Sequence, residues 1–476
     1  MPDGARTQPV GLPTMGSAGG ADLSPLLEQR LGDAIMVQGR RDPTYIDDPD
    51  VRQYLGGLGR RLASHAPGGA PGIEVFGVRD PTFNAFAMPG GYIGVNSGLV
   101  VSSESESELA GVLAHEIGHV AQRHIARGFA QGAQTGSVMM ATMAASLLAA
   151  LAGGGDLAAG VAAFGQAAAV NQQLSFSRDA EREADRAGFD MLRKSGYDPG
   201  GMAAMFGRLM NASRLNEGAG GGAYASTHPL SIQRMSDIQN RLRLMPAVSH
   251  VDSDDFWYLR ARMRMLQATD AQSQRAAAQL LREEARALSG VRQSAAWYGL
   301  AWSALRDGNA GEARQALDNA RAGGREAPQL ADVAVRLAWA AGDNAGALAA
   351  ARAAWQRWPD RRILAYDLAQ SLQRSGSHDE AIKFLRERIA QWGDDEPRLY
   401  QLLAQSEDQS GRRIEARRDM ARYYVLTGAL PAAVSQLNQA RGLSHDFYEQ
   451  SQIDVEIRDV KDRMAEEREL LERFRS

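Results

Sequence analysis

The sequence predicts a mainly α chain in two parts: an α+β amino-terminal domain with one small sheet, then an all-α solenoid of helical repeats. Three observations carry that expectation. Apolar residues recur at helical spacing along most of the chain, interrupted by only two strand-like runs. A glycine followed five positions later by alanine returns at near-constant intervals in the carboxy-terminal half. The 476 residues are 44% hydrophobic and 23% charged, which is enough to build large folded cores. A formal net charge of −4 supplies no global basic field, so no nucleic-acid partner is expected. Cysteine is absent. That removes disulfides, thiol nucleophiles and thiolate metal sites together, and leaves His, Asp and Glu to hold any metal.

Residues 1–20 are rich in Gly and Pro and read as a flexible leader without the apolar core of a secretory signal. Residues 21–250 make the first domain. Leucines and isoleucines at helical spacing predict helices within 21–64, and the Gly/Pro run at 66–72 ends them. Two short strands follow, Ile73–Val78 and Tyr92–Val95, with the segment Asn84–Gly91 between them reading as a turn-rich approach. A long helix is expected from about Ser105 to Arg127, because Glu104, Glu106 and Glu108 suit a helix N-terminus. No charge occurs between Arg127 and Asp156. Gln131, Gln134, Thr135 and Ser137 dilute that stretch, and 138–170 reads as an Ala-rich hairpin that covers the core or makes peripheral membrane contact. A second helix spans Arg178–Ser195, and a Gly-rich loop at 217–223 leads to Ser226-Thr227-His228-Pro229.

Residues 251–476 form the second domain. Gly308, Gly342, Gly376 and Gly411 are spaced by 34, 34 and 35 residues, and Ala313, Ala347, Ala381 and Ala416 follow them. Glycine at the inter-helix turn and alanine at the close helix contact, with a period near 34, are the signature of a tetratricopeptide solenoid. The charge-rich tail Asp454–Arg475 reads as a solvated helix face.

The chemistry sits in His115-Glu116-Ile117-Gly118-His119, an H-E-x-x-H run on a helix. At about 100° per residue the two histidines share one face, where both imidazoles can bind one Zn²⁺ with Glu116 as general base. Catalytic zinc needs a third protein ligand and an open position. Glu181 and Asp185 lie four apart on the second helix, so one can ligate while the other buttresses a ligand; spacing does not choose between them. Glu183 points away from Glu181 and is expected to be solvated, and His124 falls on the face opposite His115 as a structural or surface residue.

Together with His228-Pro229 and Arg234, and with the Asn84–Leu99 segment before the active-site helix, these motifs resemble the minimal peptidase domain of the HtpX/prenyl-protease class of zinc metallopeptidases. The resemblance implies a zincin-type α+β metallopeptidase domain followed by the tetratricopeptide solenoid. It implies one Zn²⁺ per chain held by His115, His119 and Glu181, with Asp185 beside the ligands and Glu116 as base. Arg234 is expected to meet the oxyanion, and His228 to reach the metal as a regulatory fourth ligand. Members with such repeats imply periplasmic action on unfolded or misassembled outer-membrane proteins and contact with the outer-membrane barrel assembly machinery. An extended substrate is expected to pair along Tyr92–Asn96. The other reading is a chaperone or adaptor whose metal site is silent.

Overall fold

The computed structural model describes residues 24–70, 72–131, 176–215, 228, 231–246, 248–393 and 396–475. The leader 1–20, the apolar stretch 138–170 and the loop 217–223 lie outside the described residues. Helices α1 (Pro25–Gly39) and α2 (Pro49–Ala63) open the described chain. Each starts on a side chain that satisfies orphan amides: Ser24 accepts from the Leu27 amide, and Asp48 from those of Asp50 and Val51.

The sheet has three strands, β1 (Glu74–Val78), β2 (Ala85–Ala87) and β3 (Tyr92–Asn96), in the order β1-β3-β2. β1 runs parallel to β3 with Glu74 opposite Tyr92, and β2 antiparallel to it with Ala85 opposite Val95. Two expectations change here. Ala85–Ala87, read as part of a turn, is an edge strand; three fully buried residues have no polar alternation to announce one. And β3 is hydrogen-bonded on both sides, so Tyr92–Asn96 has no edge to offer an extended peptide.

Helix α3 (Ser97–Ser102) leads to α4 (Glu106–Ala121), which Ser105 caps by accepting from the Glu108 amide. The expected helix to Arg127 is interrupted, and α5 (His124–Gln131) is a separate element. The break is at Arg123, which takes φ 53° and is, among the described residues, the one non-glycine with positive φ. Glu28 on α1 holds it there, its Oε2 accepting from Arg123 Nε at 3.1 Å and Nη2 at 3.0 Å. α6 (Arg178–Lys194) packs on α4 through two glycines. A Cβ on Gly118 would lie 2.9 Å from the Ala184 carbonyl, and one on Gly188 3.0 Å from the His115 amide nitrogen. α7 (Gly200–Leu215) and α8 (Ile232–Arg243) complete this half.

The second half is helical throughout its described residues: α9 (Asp254–Gln267), α10 (Ala271–Ala287), α11 (Gly290–Arg306), α12 (Ala310–Ala320), α13 (Pro328–Ala340), α14 (Asn344–Arg357), α15 (Arg362–Arg374), α16 (His378–Trp392), α17 (Pro397–Gln409), α18 (Arg413–Leu426), α19 (Leu430–Leu443) and α20 (Phe447–Arg475). Gly308, Gly342, Gly376 and Gly411 sit at the turns within successive helix pairs with φ of 72–78°, a conformation that costs other residues strain. Ala313, Ala347, Ala381 and Ala416 are buried at the helix contacts. α20 is amphipathic rather than wholly solvated, for Ile453, Ile457 and Val460 pack into the last repeat. No helix among the described residues is long and apolar enough to cross a membrane.

The two halves share one apolar core, continuous from Ile46 through Leu337. Polar contacts reinforce the join. Arg262 of α9 is 4% exposed and donates to Asp48 at 2.7 and 2.8 Å and to the Tyr298 hydroxyl at 2.7 Å. Arg52 of α2 meets Glu396 at 2.5 Å, Gln53 Nε2 donates to the Asp360 carbonyl at 2.7 Å, and Arg40 reaches the Leu426 carbonyl. The repeats therefore return to α1 and α2 along their length.

Candidate metal centre

Helix α4 presents His115, Glu116 and His119; α6 presents Glu181 and Asp185; His228 precedes α8, which carries Arg234. The structure brings all seven together. His115 Nε2 lies 3.1 Å from His119 Nε2 and 3.3 Å from His228 Nδ1. Glu181 Oε1 lies 3.0 Å from His228 Nδ1 and 3.5 Å from His119 Nε2. His115, His119, Glu181 and His228 thus converge, each at most 1% exposed. A tetrahedron built on metal–ligand bonds of about 2.0–2.1 Å has edges of about 3.3–3.4 Å. Three imidazoles and a carboxylate at such separations fit a zinc ion by donor type and by spacing.

Around these four, each carboxylate has a distinct environment. Asp185 Oδ1 lies 2.9 Å from His115 Nδ1, backing that ring on the side away from the cluster. Arg234, 4% exposed, forks onto Asp185 with Nε and Nη2 both at 2.7 Å and reaches Glu181 Oε2 with Nη1 at 2.6 Å. Burial opposes ionisation of Glu181, but His228 and His115 hold its carboxyl well below the usual range. Burial likewise opposes ionisation of Asp185, which Arg234 and His115 keep low. Glu116 differs. It is fully buried, 3.4 Å from His228 Nε2, and burial pushes it above the ordinary glutamate value against the pull of His228 and His115. That is the direction a proton acceptor needs. Burial and the neighbouring His115 and His228 keep His119 well below the ordinary imidazole value.

One residue expected elsewhere, His124, belongs to the site's surroundings, and Glu183 meets it from the exposed side. His124 is 2% exposed with Nδ1 2.9 Å from His119 Nδ1, because the turn at Arg123 swings α5 round; a continuous helix would have carried it to the far face. Glu183 accepts from His124 Nε2 at 3.0 Å and from Arg127 at 2.8 Å, so it is partly exposed but not solitary. Nothing in Gln122-Arg123-His124 announces the break, since no glycine or proline stands there. Phe176, with its ring 4.1 Å from that of His119 and 5.7 Å from that of His228, walls the site with apolar surface.

This geometry agrees with what the sequence as a whole resembles. Residues 49–242 match the model of peptidase family M48, and residues 338–406 match a tetratricopeptide repeat. The β-barrel assembly-enhancing protease of Escherichia coli (strain K12) is 32% identical over 435 residues, 90% of this chain and 86% of that protein. The chain belongs to peptidase family M48. A β-barrel assembly-enhancing protease of Yersinia pestis is 31% identical over 475 residues, 98% of this chain and 93% of its own. The mitochondrial metalloendopeptidase OMA1 of Schizosaccharomyces pombe is 34% identical over 171 residues, 36% of this chain and 46% of that protein. Membership of M48 makes this a metallopeptidase family chain with tetratricopeptide repeats, and all seven clustered residues fall inside the M48 match.

Proposed function

We propose that the chain is a zinc endopeptidase of the bacterial periplasm that acts on misfolded or stalled outer-membrane proteins, with its repeats engaging the barrel assembly machinery. The observation that carries the chemistry is the convergence of His115, His119, Glu181 and His228 beside the buried Glu116. The substrate class and compartment rest on relatives named for β-barrel assembly over most of this chain's length.

Zinc held by His115, His119 and Glu181 would supply Lewis acidity toward a peptide carbonyl and toward water. This chain's own residues do the rest. Glu116 takes the proton of the attacking water and later gives it to the leaving amine. Asp185 orients His115, and Arg234 grips both Asp185 and Glu181, so in this arrangement it acts on the ligands; meeting a developing oxyanion would require that fork to open.

Glu116→Gln tests the division of roles. Metal analysis should find one zinc per chain in both proteins, while cleavage of an unfolded outer-membrane protein falls about 10²–10⁴-fold in the variant. Loss of zinc along with cleavage would show that Glu116 holds the metal instead. The second reading, a chaperone or adaptor with a silent site, is favoured by one observation: His228 fills the fourth donor position that an active site leaves open. His228→Ala should then keep zinc and raise cleavage. Unchanged cleavage would remove the latch.

A further inference from the structure

Resting on the metal-site reading above, we propose that His124 and Glu183 are positioning residues, a carboxylate–imidazole chain that fixes the tautomer and ring orientation of His119 toward the metal. His119 turns Nε2 toward His115 and Glu181 and leaves Nδ1 2.9 Å from Nδ1 of His124. Two ring nitrogens at that separation bond only if one carries a proton and the other does not. A ligating Nε2 must offer its lone pair, so the His119 proton is on Nδ1 and His124 Nδ1 accepts it. The proton of a neutral His124 is then on Nε2, which donates to Glu183 Oε2 at 3.0 Å. Arg127, 2.8 Å from the same oxygen, anchors Glu183 at the surface.

The pattern parallels the support of His115 and extends it. His115 has a carboxylate directly behind it in Asp185, whereas His119 has its carboxylate one imidazole further out. Partners of this kind hold a ligand in one tautomer and orientation, and their loss typically weakens metal affinity by about 10–100-fold. The chain depends on Arg123, whose left-handed backbone, clamped by Glu28, turns His124 inward. Because Glu183 is 40% exposed, this support can be cut at its outer end without touching any ligand.

The test is loss of zinc from the full-length protein to a colorimetric chelator, compared for wild type, His124→Phe, His124→Asn, Glu183→Ala and the His124→Phe/Glu183→Ala double variant. His124→Phe keeps a ring of similar shape beside Phe176 but neither nitrogen, and zinc should leave about 10–100-fold faster. Glu183→Ala should move the rate in the same direction by less, and the double variant should be no faster than His124→Phe alone, since both cut one chain. His124→Asn, whose amide oxygen can accept from His119, should recover part of the retention. Melting in excess chelator should be alike for wild type and His124→Phe. Zinc retention by His124→Phe equal to wild type overturns the proposal. Equal loss in His124→Phe and His124→Asn, with lowered melting in both, assigns His124 to ring packing and overturns it too. A wild-type chain that takes up no zinc fails earlier, by overturning the metal reading itself.

Discussion

Asp50, at the first turn of α2, is fully buried where the two halves meet, and it accepts from Gln329 Nε2 at 3.2 Å. Burial pushes its carboxyl up to about 6, with Arg262 and Arg361 opposing. The folded chain therefore binds this proton more tightly than the unfolded chain does. Its effect on stability is favourable at low pH and is lost as pH rises from about 4 through 6. Asp50→Asn should stabilise the protein at pH 8 by up to roughly 3 kcal/mol, and the gain should vanish toward pH 4. Urea unfolding at the two pH values checks this; an equal loss at both would show that the arginines favour the charged form outright. At this scale the sequence was informative wherever a residue's place follows from helix periodicity. His115 and His119 share a face by counting alone, and so do Glu181 and Asp185. His124 was misplaced because counting assumes an unbroken helix, and the break at Arg123 goes with a contact to Glu28, 95 residues earlier in the chain. Glu183, on the unbroken α6, lies on the exposed side where counting puts it.

The α4–α6 pair is the element on which the site depends, since one helix carries His115, Glu116 and His119 and the other Glu181 and Asp185. Its spacing is set by glycine. A methyl group on Gly118 would meet the Ala184 carbonyl oxygen at 2.9 Å, with backbone on both sides and no flexible side chain to give way. Gly118→Ala should cost about 1–3 kcal/mol and separate Glu181 from the histidine pair. Calorimetry reads the first effect and chelator competition the second; full zinc retention would show that the helices part elsewhere. Among elements, the repeats were the most legible, because a 34-residue period leaves the same glycine and alanine at every unit. The sheet was least legible. β2 has only Ala85, Phe86 and Ala87, and which strand is central depends on pairing between distant segments rather than on any local pattern.

Across the whole molecule the repeats close against the amino-terminal half at their far end as well as at their start. Gly428, at the turn between α18 and α19, has φ 74°, and a Cβ there would lie 2.9 Å from the Val37 carbonyl oxygen of α1. Gly428→Ala should destabilise the protein by about 1–3 kcal/mol, through backbone strain and through loss of that contact. The same change at Gly411 (φ 78°), which has open space beside it, should cost only the strain, so thermal melting of the two variants separates the terms. The core that runs from Ile46 to Leu337 has a further consequence. A cut near residue 250 would pass through one interior rather than between two. Tyr258 and Tyr298 of the repeats belong to the same apolar body as Leu113 and Ile117 of the metal-bearing helix, so neither half inherits a finished interior if the chain is parted there. Substitutions in α9 or α11 that loosen this shared interior should therefore also loosen the helix that carries His115 and His119.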